Sequence, residues 1–186
     1  MELFEGFEII NPDNLDDYYI PGVWAMFGMP KDVEKGYVCL NVGKNICIGE
    51  ELKIDYERLL SSPICGEKDY VNQFNRYKFT YPEHPTRLDY LYENISQNYK
   101  NIVTILVTNN PEHTYIVEKY FAYTTIAEYW VSNGRYKANT LVDSKRIKEI
   151  KDGIDTSAIS KELIEKIDKF GIVYEEQCPI DRKKDN

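Results

Sequence analysis

Apolar and polar positions divide the chain into short extended runs near its start and longer helical runs after them. The first extended run is Gly22-Val23-Trp24-Ala25-Met26-Phe27-Gly28, and the second is Tyr37-Val38-Cys39-Leu40-Asn41-Val42-Gly43-Lys44. Both are rich in β-branched and aromatic residues and both are bounded by glycine, which suits strands. Between them, Met29 to Gly36 carries proline, charges and a glycine, which suit a turn. Alternation predicts that Val23, Ala25 and Phe27 share one face, and Val38, Leu40 and Val42 one face of the partner strand. Trp24, Met26, Tyr37, Cys39 and Asn41 are then expected on the opposite faces. A hairpin apolar on both faces belongs in the middle of a covered sheet.

Helical spacing follows. Leu52, Tyr56, Leu59 and Leu60 form a stripe over residues 49–60, with acids in the first turn where the helix dipole favours them. Residues 63–84 show no period and read as an insertion. Leu88, Leu91 and Ile95 predict a helix over 85–99, and Ile102 to Thr108 is the plainest strand of the chain. Ile116, Tyr120, Tyr123, Ala127 and Trp130 predict one long helix over 112–132, stopped by Gly134. Helices are expected over 144–151 and from Ser160 to Gly171, with a late strand at Ile172-Val173-Tyr174. Phe7 to Ile10 reads as an edge strand or a lead-in arm. The order predicts an α/β (α+β) sandwich, a small and mainly antiparallel sheet flanked by helices. Residues 1–140 form the expected core, and 141–186 a helical extension packed on it.

Composition changes this picture little, but charge narrows the function. The chain has 186 residues, 42% hydrophobic and 29% charged, and a net charge of −8. That composition is globular, and the acidity argues against a general nucleic-acid coat, since phosphate binding needs clustered Lys and Arg. A small basic site on an acidic body stays compatible with it. The start of the chain has no signal-peptide pattern, and no apolar run is long enough to span a bilayer. Cys39, Cys47, Cys65 and Cys178 are not at zinc-site spacings, so reduced thiols in a cytoplasmic protein are the expectation.

Gly22-Val23-Trp24 and Asn41-Val42-Gly43, in this order of elements, resemble the two motifs of the GIY-YIG nuclease family. Trp24 and Asn41 stand where the family has tyrosines. Glu128, in Thr124-Thr125-Ile126-Ala127-Glu128-Tyr129-Trp130, is similar to the family's metal-binding glutamate on a helix. Asn139 stands where the family often has an asparagine that orients the site. The resemblance implies a metal-dependent endonuclease that hydrolyses DNA phosphodiester bonds, with Mg²⁺ or Mn²⁺ on Glu128. The departures fall on chemistry. An indole only donates a hydrogen bond, so Trp24 cannot act as a base. At the family's arginine offset this chain has Glu51, and Arg58 lies one to two turns later.

Substitutes are therefore weighed residue by residue. Tyr37 is a candidate base if Lys44 or a metal lowers its phenol, and it is otherwise a packed strand residue. Lys44 is a candidate phosphate contact or a solvated turn lysine. Arg58 is a candidate displaced phosphate clamp or an ordinary helix arginine. Glu128 is a metal ligand or part of a polar helix face. Two functions remain open: a DNA endonuclease using Glu128, Tyr37, Lys44, Arg58 and Asn139, and a catalytically inactive module of the same fold that binds a protein partner. A third is an unrelated α/β binding domain whose glycine motifs match by chance.

Overall fold

Val23, Ala25 and Phe27 face one layer of the molecule and Trp24 and Met26 the other, because the strand that carries them is covered on both sides. A computed structural model describes residues 3–61, 87–132, 135–136 and 144–180. That strand, β2 (Gly22–Pro30), lies between β3 (Val38–Asn45) and β4 (Tyr99–Thr108), and β1 (Glu8–Ile10) pairs with the far side of β4. The order is β1-β4-β2-β3 and every pairing is antiparallel. Helices α1 (Ile48–Ser61) and α2 (Arg87–Asn98) cover one face. Helices α3 (Thr114–Thr125), α4 (Ser144–Asp152) and α5 (Lys161–Gln177) cover the other. A small hairpin, β5 (Val131–Ser132) and β6 (Arg135–Tyr136), stands apart from the sheet. This is the α+β sandwich expected from the sequence, and the helices after the core pack on it through Ile147, Ile167, Phe170 and Tyr174.

Alternation fails at one place in the hairpin. Met26 is opposite Asn41, but Phe27 is opposite Cys39, so Leu40 is an extra residue in β3. Such a bulge turns two successive side chains to one side. Val38 and Leu40 pack with α1 and α2, whereas Cys39 and Val42 pack with α3 and α5. Val38, Leu40 and Val42 therefore do not share a face. Tyr37 packs edge-on to Phe4, 5.1 Å between ring centroids, in the layer of α3 and α5. Asn41 is buried toward α2, where it acts on Tyr92.

The third expected helix is shorter than its apolar spacing predicts. α3 ends at Thr125, and Ile126 adopts a left-handed conformation (φ 50°) as its cap. A β-branched residue is a poor fit there, and the conformation persists only where its surroundings impose it. The chain beyond it supplies that force. Glu128 N–H donates to Cys39 O at 2.9 Å, and Tyr129 N–H donates to Leu40 O at 2.7 Å. The free edge of β3 thus captures the segment that would have continued the helix, and the edge is blunted in return. Ala127 and Trp130 still reach the core, which is why they carry a helical period without being helical.

α5 departs in the opposite sense. It runs through Gly171 and through Ile172-Val173-Tyr174, both expected to end it. Gly171 lies where its missing side chain makes room for Thr124: a Cβ there would sit 2.4 Å from Thr124 Cγ2. Ser160 caps the start of the helix, accepting from Leu163 N–H. Tyr174, kept in register by the continued helix, accepts the Cys39 N–H at 2.9 Å through its hydroxyl.

Candidate functional site

The glycine-bounded end of the hairpin brings together the side chains with the most chemistry. Trp24 lies flat over Gly43, its partner in β3, because a Cβ at Gly43 would meet the indole Cζ2 at 2.5 Å. The indole is buried, and its Nε1–H donates to Glu51 Oε2 on α1 at 2.8 Å. One turn further on, Asp55 accepts from Arg58 Nη1 at 3.0 Å, and both side chains are more than nine-tenths buried. Tyr92 from α2 closes this layer. Its hydroxyl is buried with no hydrogen bond of good geometry, and the Arg58 guanidinium lies 5.9 Å from its ring centroid.

On the other face of the hairpin, Trp130 Nε1–H donates to Glu118 Oε1 on α3 at 3.2 Å. Lys44, exposed and opposite Val23 in the ladder, acts electrostatically on both Glu51 and Glu118. Of the three carboxylates, Glu51 and Glu118 are thus each clamped by an indole, and Lys44 acts on both.

Burial sets the proton affinities. Loss of solvent raises the Glu51 carboxyl above its usual value, against Trp24, Asn45, Lys44 and Arg58, which lower it. Burial pushes Asp55 up to about 7, with Glu51 adding to the rise and Tyr92 and Arg58 opposing it. Glu118 is raised by burial, against the hydrogen bond from Trp130. Burial also drives the Tyr92 phenol well above its ordinary range, with Asp55 adding to the effect.

The candidates from the sequence are only partly brought together. Gly22, Trp24, Asn41, Gly43 and Lys44 converge at this end of the hairpin. Tyr37 does not: it belongs to the opposite layer, so the shared strand face that would have aimed it at the site is absent. Arg58 is on the α1 side but is buried against Asp55. Glu128 is half-buried in a turn beside β3, not on a helix as expected. Asn139 lies outside the described residues. Among the described residues no group of three or more His, Cys, Asp or Glu side chains is placed to hold a metal ion. No helix among them is long and apolar enough to cross a membrane.

Asp55, Tyr92 and Glu118 were not singled out from the sequence. The signal for Asp55 was its place on the apolar stripe of α1, since Ile48, Leu52, Asp55 and Leu59 recur at helical spacing. Glu118 sits between Val117 and Phe121 in the same way. A carboxylate on an apolar face needs a partner, and the partners were the two tryptophans and Arg58.

No family model, no curated protein and no solved structure matches this chain.

Proposed function

We propose that this chain is a binding module on a GIY-YIG-like frame, one that engages a protein partner and does not cut DNA. The observation that carries this reading is the buried Asp55–Arg58 pair. Arg58 was the one arginine of α1 available to clamp a phosphate, and its charge is spent inside the fold. Trp24 fills the place of a catalytic tyrosine with a ring that donates to Glu51. What remains exposed at the rim is Lys44, with Ile46, 87% exposed, and Tyr19, 46% exposed, near the start of α1. One lysine with exposed apolar side chains suits a protein surface better than a phosphate backbone, which takes clustered cations.

The test is incubation of the whole chain with plasmid, single-stranded and branched DNA in Mg²⁺ or Mn²⁺, beside Glu128→Ala. The expected result is intact DNA with both proteins and no salt-sensitive retention of a labelled duplex. Metal-dependent cutting that Glu128→Ala abolishes would overturn the proposal and restore the endonuclease reading.

A further inference from the structure

A cavity of about 460 Å³ opens between the end of β4 and the starts of α3 and α5. Thr108 in its wall is opposite Val23 in the ladder, as Lys44 is on the other side, so the cavity lies at the glycine-bounded end of the sheet. Its volume is that of a small-molecule site. Val107, Val117, Ile159 and Leu163 line it from the core layer of α3 and α5 and make one side of it apolar.

Glu162 and Lys166 are one turn apart on α5, and both line this cavity. Opposite charges at that spacing are neighbours on a helix surface, and Lys161 and Glu165 on the same helix do pair, at 3.7 Å. Glu162 and Lys166 do not. Among the described residues no carboxylate oxygen lies within 4.0 Å of the Lys166 ammonium. The ammonium sits instead 4.0 Å from the Phe7 ring centroid, where the ring face holds it. Partial burial lowers its hold on its proton, and Glu8 and Glu162 oppose this from beyond ion-pair distance. A cation and an anion one turn apart are thus kept open beside an apolar cavity.

We propose that this cavity binds a zwitterion, an α-amino acid with an apolar side chain. Its carboxylate accepts from Lys166, its ammonium donates to Glu162, and its side chain rests against Val107, Val117, Ile159 and Leu163. Charge disfavours the simpler ligands. A carboxylate without an amine meets Glu8, Glu112 and Glu162 in the same lining, and an amine without a carboxylate meets Lys166. A ligand with both signs closes the open pair through two charge-assisted hydrogen bonds, the stronger kind. The site is separate from the rim of Lys44, Ile46 and Tyr19, and it stands whether or not the chain binds a protein or cuts DNA.

The test titrates the whole natural chain with L-leucine and follows backbone amides by ¹H–¹⁵N NMR. N-acetyl-L-leucine, which keeps only the carboxylate, and L-leucinamide, which keeps only the amine, are run beside it. The expected result is saturable shifts at Val107, Val117 and Leu163 with L-leucine, and binding at least about tenfold weaker for each blocked form, the worth of one bond to a charged group. Two variants assign the charges. In Glu162→Gln the gap between L-leucine and its N-acetyl form closes, and in Lys166→Met the gap between L-leucine and its amide closes. Glu162 is exposed and Lys166 half-buried, so both variants should keep the fold, which circular dichroism checks. If either does not fold, the three titrations of the natural chain decide alone. No saturable shift with L-leucine, a blocked form that binds as tightly, or folded variants that leave both gaps open would overturn the proposal.

Discussion

Gly43→Ala tests whether this glycine is there for packing or for access by a ligand. The backbone at Gly43 does not need glycine, since it is not among the positive-φ positions. The space does. An alanine Cβ would lie 2.5 Å from Trp24 Cζ2, 2.6 Å from Cε2 and 2.9 Å from Nε1. Relieving that overlap requires the ring to move by about 1 Å, yet Trp24 is buried in a close-packed layer and tied to Glu51 at 2.8 Å. Overpacking of this kind costs about 1–3 kcal/mol. Drawing the indole off a buried carboxylate adds about 1.5–3 kcal/mol if the hydrogen bond is lost outright. About 3 kcal/mol is the expected total, with partial loss of the bond. For a chain of this size that lowers the thermal midpoint by about 6–12 °C. Circular dichroism or calorimetry reads it. In a Trp24→Phe background the smaller ring clears the added methyl, so the same substitution should cost at least about 1 kcal/mol less. A midpoint unchanged by Gly43→Ala, or an equal loss in both backgrounds, would refute the packing account. The glycine would then be there for close approach of a ligand.

The remaining predictions concern buried partners. Arg58→Met strands Asp55 and should cost about 3–5 kcal/mol by urea denaturation at about pH 8. It should cost less at about pH 5, where Asp55 can take up a proton, and Asp55→Leu combined with Arg58→Met should recover most of the loss. Tyr174→Phe removes the acceptor of the buried Cys39 N–H, so it should cost about 1–3 kcal/mol and speed hydrogen exchange at that amide.

Most of the frame was legible because its helices bury one face each and its central strands are short apolar runs. The stripe of Leu52, Tyr56 and Leu59 fixed α1, and the run from Ile102 to Thr108 fixed β4 to within a few residues. What escaped was decided by tertiary hydrogen bonds that leave no period. The bulge at Leu40 puts Tyr37 and Val42 in one layer, where strict alternation separates them, and nothing in the local sequence marks it. The early end of α3 depends on carbonyls of Cys39 and Leu40, far away in the chain, which take the N–H groups of Glu128 and Tyr129. Gly171 looked like a stop because glycine favours helix ends, but here it serves a contact with Thr124.

The candidate site was half legible for a related reason. Residue types along the hairpin and α1 showed which groups carry chemistry, but not how they pair. Trp24 brings an N–H that must be satisfied when buried, and Glu51 on α1 accepts it. A carboxylate on that side of α1 then makes a second one at Asp55 costly unless a cation joins the layer. Arg58, three residues on, is that cation. The tryptophan, the glutamate, the aspartate and the buried arginine thus form one linked set, each requiring the next. Such a set holds Arg58 inside the fold, and that is the observation on which the proposed binding role rests.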